Sequence, residues 1–158
     1  MATTTLPPWL RALFAAPNAL YRHGLGGLLG RRFLQLTHVG RTSGSPHTVV
    51  LEVLRYDRAT GEAVVVSGFG EKAQWLRNLR ANGTASVSFG RAPRPATVRF
   101  LDTDEAVAVL TAYEHRYGVL RPLLRRTLTL LLDFEYRGTD ADRLRLAQTL
   151  PLVAFRPA

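Results

Sequence analysis

Short apolar runs separated by glycine-rich turns fill the middle of the chain, and a slower helical rhythm occupies both ends. Phe33–Val39 and Thr48–Asp57 read as strands, followed by the valine-rich Glu62–Ser67. Thr84–Phe89 alternates cleanly, and Pro95–Leu101 places Ala96, Val98 and Phe100 on one face. Leu152–Phe155 supplies a last strand. Asp57–Gly61 has the composition of a hairpin loop.

Helical spacing predicts the remaining elements. Leu6–Gly30 reads as helical with interruptions: Pro7 and Pro8 open it, and Trp9, Leu10, Leu13 and Phe14 form a stripe. Pro17 is expected to break it, with a new turn from Asn18 to Arg22 and flexible backbone around Gly24, Gly26, Gly27 and Gly30. Ala73–Ala81 is a helix that Asn82-Gly83 terminates. Thr103 is expected to cap a helix carrying Val107, Leu110, Tyr113 and Tyr117 on its apolar face. Pro122 opens Leu123–Leu132, and Asp140–Thr149 forms a final short helix. Five or six short strands joined mostly by hairpins argue an α+β fold, and a small antiparallel barrel with peripheral helices is its simplest closure. The 158 residues suit a single domain, with a helical segment over 1–31, a barrel core over 32–101, and helices plus a strand over 102–158.

Charge narrows the partners. Twenty-one basic against 12 acidic residues give a net charge of +9, a field that favours nucleic acid, an acidic lipid surface or a polyanionic small molecule. Lys72 is the single lysine. The strands lack the aromatic-plus-basic interleaving of single-strand binders, so no nucleic acid is expected. No cysteine is present, which removes disulfides and thiolate chemistry. No apolar run of membrane-spanning length and no secretory leader is seen, and a cytoplasmic location is expected. The Trp9 segment and Arg121–Arg126 beside a leucine-rich helix would suit a peripheral contact with the inner face of a membrane.

Chemistry is bounded mainly by exclusions. His23, His38, His47 and His115 have no metal-ligand spacing, so no metal is expected. No nucleophile elbow, phosphate loop or paired-carboxylate signature occurs. The hard chemistry of an enzyme built this way belongs to a bound cofactor. Two polar glycine turns, Gly40–Ser45 and Ser67–Lys72, each follow a predicted strand. An anion between them would meet Arg41, the hydroxyls of Thr42 and Ser43, Lys72 and the first N–H groups of the Ala73 helix.

The series THVGRTSGSPHTVVLEV and VVVSGFGEKAQWLRNLRAN, with Pro17–Tyr21, Leu28–Phe33 and Leu150–Val153, resembles the deazaflavin-dependent nitroreductase family, whose members use coenzyme F420. The resemblance implies a split β-barrel akin to the flavin-reductase and pyridoxamine-phosphate-oxidase folds. It implies that Gly40, Arg41, Thr42, Ser43, Gly44 and His47 cradle the coenzyme's phosphate and acidic tail, and that Val50 and Leu51 border its ring. It further places Ser67, Gly68, Phe69, Gly70 and Lys72 on the other side as donors, with Trp75 and Asn78 meeting the ring or its ribityl chain. Thr42 and His47 stand where the family usually has Lys or Arg and often Arg. Tyr113 and Tyr117 are the implied proton donors, with His38 as another candidate. The implied activity is hydride transfer from reduced F420 to a quinone, nitroaromatic or similar small acceptor. The alternatives are a non-catalytic carrier of F420 or FMN, and FMN in place of F420. Both monomer and homodimer stay open.

Overall fold

The structure is a computed structural model that describes residues 8–158, apart from the side chains of Leu10, Leu13, Phe14 and Leu131. Pro7 and the stripe through Leu10, Leu13 and Phe14 therefore lie outside the described residues.

Six strands close into one antiparallel barrel. They are β1 (Phe33–Val39), β2 (Pro46–Tyr56), β3 (Ala63–Val66), β4 (Ala85–Ser88), β5 (Arg94–Phe100) and β6 (Leu152–Pro157). Their order around the barrel is β1-β2-β3-β6-β5-β4, with β4 pairing back onto β1. Among the described residues five helices surround it: α1 (Pro8–Arg22), α2 (Gln74–Asn82), α3 (Thr103–Tyr117), α4 (Arg121–Leu131) and α5 (Asp140–Thr149). This is the α+β barrel with peripheral helices that the turns and periodicities predict, and the split barrel that the resemblance implies.

Alternation along β1 sends Leu34, Leu36 and His38 inward. With Val53, Val65, Val87, Val153 and Phe155 they fill the barrel, and α2 caps it with Trp75, Leu76 and Leu79. Each such fully buried aliphatic side chain contributes about 2 kcal/mol. A second core lies between the barrel's outer face and the helices, where Leu54, Val64, Leu152 and Ala154 meet Val109, Leu110, Tyr113, Leu146 and Leu150. The barrel thus has apolar layers on both sides of β2, β3 and β6.

Four expectations are corrected. Helix α1 runs through Pro17, whose ring is buried; the lost N–H removes one helical bond and burial of the ring offsets it. Asp102 rather than Thr103 caps α3: its extended backbone lets the carboxylate accept from Glu105 N at 2.8 Å, a charge-assisted bond a hydroxyl does not match. The glycine segment is a packed 3-10 turn, Gly26–Leu29. A Cβ on Gly26 would come within 2.7 Å of the Tyr21 ring, and one on Gly90 within 2.2 Å of Gly27 N. Phe100 leaves the inward row of Ala96 and Val98, lying 37% exposed beneath the Arg80 guanidinium.

Candidate functional site

The β1–β2 turn, the chain after β3 and the start of α2 enclose a polar crevice of about 440 Å³. Gly40, Arg41, Thr42, Ser43 and His47 line it from the turn, and Ala73, Gln74, Trp75 and Asn78 from the helix. Closing the turn needs glycine at two points. Gly44 sits at φ +67°, and a Cβ on Gly40 would approach Ser43 Oγ to 2.4 Å and His47 Nε2 to 3.0 Å.

Asn78 organises this crevice. Its Oδ1 accepts from Arg41 N at 3.1 Å and from the Arg41 guanidinium at 2.9 Å. Its Nδ2 donates to His38 Nδ1 at 3.0 Å, which leaves the ring hydrogen of His38 on Nε2. His38 is the polar end of an inward apolar row, so it needs such a partner. It stacks on His47, its direct partner in the β1–β2 register, with ring centroids 5.8 Å apart. Burial first, and the charge of His47 second, lowers the His38 pKa below its usual 6.5.

Arg41 is held by the same network. Its guanidinium also donates to Gln74 Oε1 at 2.9 Å, so two of its five N–H groups are committed and the fork is fixed in the crevice. No side chain caps the N-terminus of α2, whose Gln74 and Trp75 also face the crevice. Arg41, His47, two hydroxyls and an open helix terminus are a donor set suited to a phosphate or carboxylate.

A second cavity, also of about 440 Å³, adjoins the first. Val49, Phe69 and Trp75 line both. This cavity is largely apolar, walled by Phe33, Val50, Leu51, Leu54, Val66, Leu110, Leu124 and Leu128, with α1 contributing Pro17. Its polar residues include Glu52, Tyr113, Glu114 and Tyr136. Tyr113 and Tyr117 both donate to Glu52 Oε1 at 2.8 Å, and their hydroxyls are 2.9 Å apart. Burial is the largest cause pushing both phenols above the ordinary tyrosine range.

Most sequence-derived candidates converge on these two spaces, and some do not. Val50, Leu51, Gly68, Phe69, Trp75 and Tyr113 line the apolar cavity or its junction. Ser67 and Gly70 instead brace their own turn: Ser67 Oγ donates to the Gly70 carbonyl at 2.7 Å, and Gly70 N to the Ser67 carbonyl at 2.9 Å. Gly44 shapes its turn, and Lys72 is exposed, outside both linings. Gln74 and Glu52 were not among the candidates. Gln74 lies four residues before Asn78, on the same helix face. Glu52 is a lone carboxylate inside the apolar run Val49–Leu54, a pattern that demands a buried partner.

The closed antiparallel barrel has the split-barrel fold of the pyridoxamine-phosphate-oxidase type, with a cation-bearing crevice opening onto an apolar cavity. The chain belongs to the F420H(2)-dependent quinone reductase family, whose model matches residues 13–119, and so to the F420-dependent oxidoreductases. It is similar in fold to a structure titled F420-H2 dependent reductase (FDR-A), at 22% identity, TM-score 0.52, and 80% and 95% coverage of the two chains. Another, described as a domain-swapped dimer, aligns at 21% identity and TM-score 0.54, covering 94% and 97%. A putative pyridoxamine 5'-phosphate oxidase from Listeria innocua shares the fold at 13% identity and TM-score 0.50, covering 87% and 93%. Comparison with curated proteins gave no match.

Proposed function

We propose that this chain transfers a hydride from reduced coenzyme F420 to a quinone, nitroaromatic or similar small acceptor. The observation that carries the reading is the meeting of an anion-suited crevice and an apolar cavity at Val49, Phe69 and Trp75. Bound there, the reduced deazaflavin supplies the hydride. Arg41, Ser43, His47 and the first turn of α2 hold the phosphate and acidic tail. Gly40 keeps the turn tight, and Thr42 adds a hydroxyl where a cation is usual in the resembled family. Trp75, Val50 and Leu51 would border the ring, and Phe69 would help to exclude water from it. The acceptor takes the remaining apolar space, which Tyr113 lines, with the Tyr117 hydroxyl hydrogen-bonded to that of Tyr113.

Exposed apolar groups support peripheral membrane contact: Trp9 on α1, and Val119, Leu120 and Leu123, which flank Arg121 in the chain. Among the described residues no helix is long and apolar enough to cross a membrane. A homodimer is supported by the domain-swapped structure of similar fold.

Mixing the protein with reduced F420 and menadione tests the reading. Oxidation of the coenzyme that requires both protein and quinone is expected. Tight binding without turnover would identify a carrier instead. Preferential binding of FMN, whose phosphate suits the same cradle, would replace the coenzyme.

A further inference from the structure

At the edge of the apolar cavity, β2 and α3 bring together a cluster of three oxygens. Glu52 Oε1, Tyr113 Oη and Tyr117 Oη form a triangle with sides of 2.8, 2.8 and 2.9 Å. Two phenols bring two hydrogens to these three contacts. With the carboxylate ionised, both phenols point at one oxygen, and their own oxygens face each other without a hydrogen between them. A hydrogen on Glu52 Oε1 completes a closed ring in which every oxygen donates once and accepts once. The cluster therefore has a place for a third hydrogen and remains bonded when it is gone.

Position adds the second observation. Glu52 and Tyr113 line the apolar cavity together with Val50 and Leu51, whereas Tyr117 is not part of its lining. Burial makes a phenolate unfavourable at either tyrosine. The carboxyl is the member of the triangle that tolerates becoming an anion, since two hydroxyls then solvate it. Positive charge lies close by. Arg116 is over the Tyr113 ring at 5.7 Å while donating to the Leu54 carbonyl, and Arg32 acts on Tyr117. Arg11, Glu114 and Tyr136 complete the ionisable groups lining the cavity.

We propose that Glu52 supplies the proton that completes reduction of the acceptor, with Tyr113 and Tyr117 as positioning residues that hold its carboxyl against the cavity. This rests on the hydride-transfer reading. The acceptor gains two electrons and one proton as hydride from the reduced coenzyme, which is oxidised by two electrons. The Glu52 O–H bond breaks as a new O–H bond forms on the acceptor. Glu52 is left as a carboxylate accepting both phenolic hydrogens, and solvent restores its proton. The acceptor class this suits is a quinone, whose carbonyl oxygen becomes a hydroxyl.

The test compares wild type, Glu52→Gln and Tyr113→Phe. Glu52→Gln keeps the size and hydrogen bonding of the carboxyl and loses its acidity. It should bind F420 within about 2-fold of wild type and lose menadione-dependent oxidation by about 10²-fold or more. Any dependence of the wild-type rate on pH that comes from this proton donor should be absent in Glu52→Gln. In the coenzyme-free protein, the infrared C=O stretch of a protonated carboxyl should vanish in Glu52→Gln and shift in Tyr113→Phe. A Glu52→Gln rate and pH profile matching wild type would overturn the proposal. So would the absence of any such band assignable to Glu52, a measurement that decides the matter if Glu52→Gln does not fold. Wild type that oxidises no reduced F420 would instead defeat the hydride-transfer reading.

Discussion

Asn78 ties together three groups that the sequence separates widely: the His38 ring, the Arg41 backbone and the Arg41 guanidinium. Its place on the helix face with Trp75 follows from spacing, yet its partners depend on where β1 ends relative to α2. Asn78→Leu would leave a buried imidazole nitrogen and an amide hydrogen unpaired. Chemical denaturation should show a loss of about 1–3 kcal/mol, and F420 affinity should fall with it because the Arg41 fork is released. Unchanged stability would mean that other groups or solvent pair these atoms. His38 gives a pH dependence of definite sign. Its folded pKa lies below 6.5, so the unfolded state binds the proton first, and stability is complete above that value. Stability should decline as pH falls from about 6.5 toward the lowered native value, and this slope should flatten in His38→Gln. Parallel melting profiles for the two proteins would contradict that assignment.

At the scale of elements, strands were more legible than helix ends. Turns rich in Gly, Asp and Pro mark strand limits chemically, and β1 matches its expected span. Helix starts depend on which of several polar residues reaches the free N–H groups, and that choice belongs to backbone angles at Asp102. The glycine segment shows a different limit. Its run of glycines suggests freedom, whereas Tyr21 and Gly90 press against it, a tertiary contact invisible to local pattern. Gly90 combines φ +81° with a Cβ position 2.2 Å from Gly27 N. Gly90→Ala should therefore destabilise the protein by about 3 kcal/mol or more, combining backbone strain with displacement of the 3-10 turn. A melting temperature equal to wild type would show that the turn moves aside without penalty.

Across the whole molecule, the proposed function depends on two turns that are remote in sequence and adjacent in the barrel. The Gly40–Ser45 turn looks like an ordinary hairpin in isolation. Placed against α2 and Phe69, it becomes one wall of a crevice with a fixed guanidinium, and the apolar cavity begins where that wall ends. Glycines, Arg41 and the Trp75 face made the crevice legible. Ser67, Gly70 and Lys72 were less so, because composition does not reveal whether a turn's donors face a ligand or one another. In the proposed function, the excess of positive charge serves recognition at long range, drawing a polyanion to a small, oriented donor set.

The most direct measurement is a titration of the protein with F420 and with FMN, followed by coenzyme fluorescence, for wild type and Arg41→Ala. Saturable F420 binding tighter than that of FMN is expected, weakened at least about 10-fold in Arg41→Ala, a loss of about 1.4 kcal/mol. No F420 binding by wild type, or equal affinity in Arg41→Ala, would contradict the site described here.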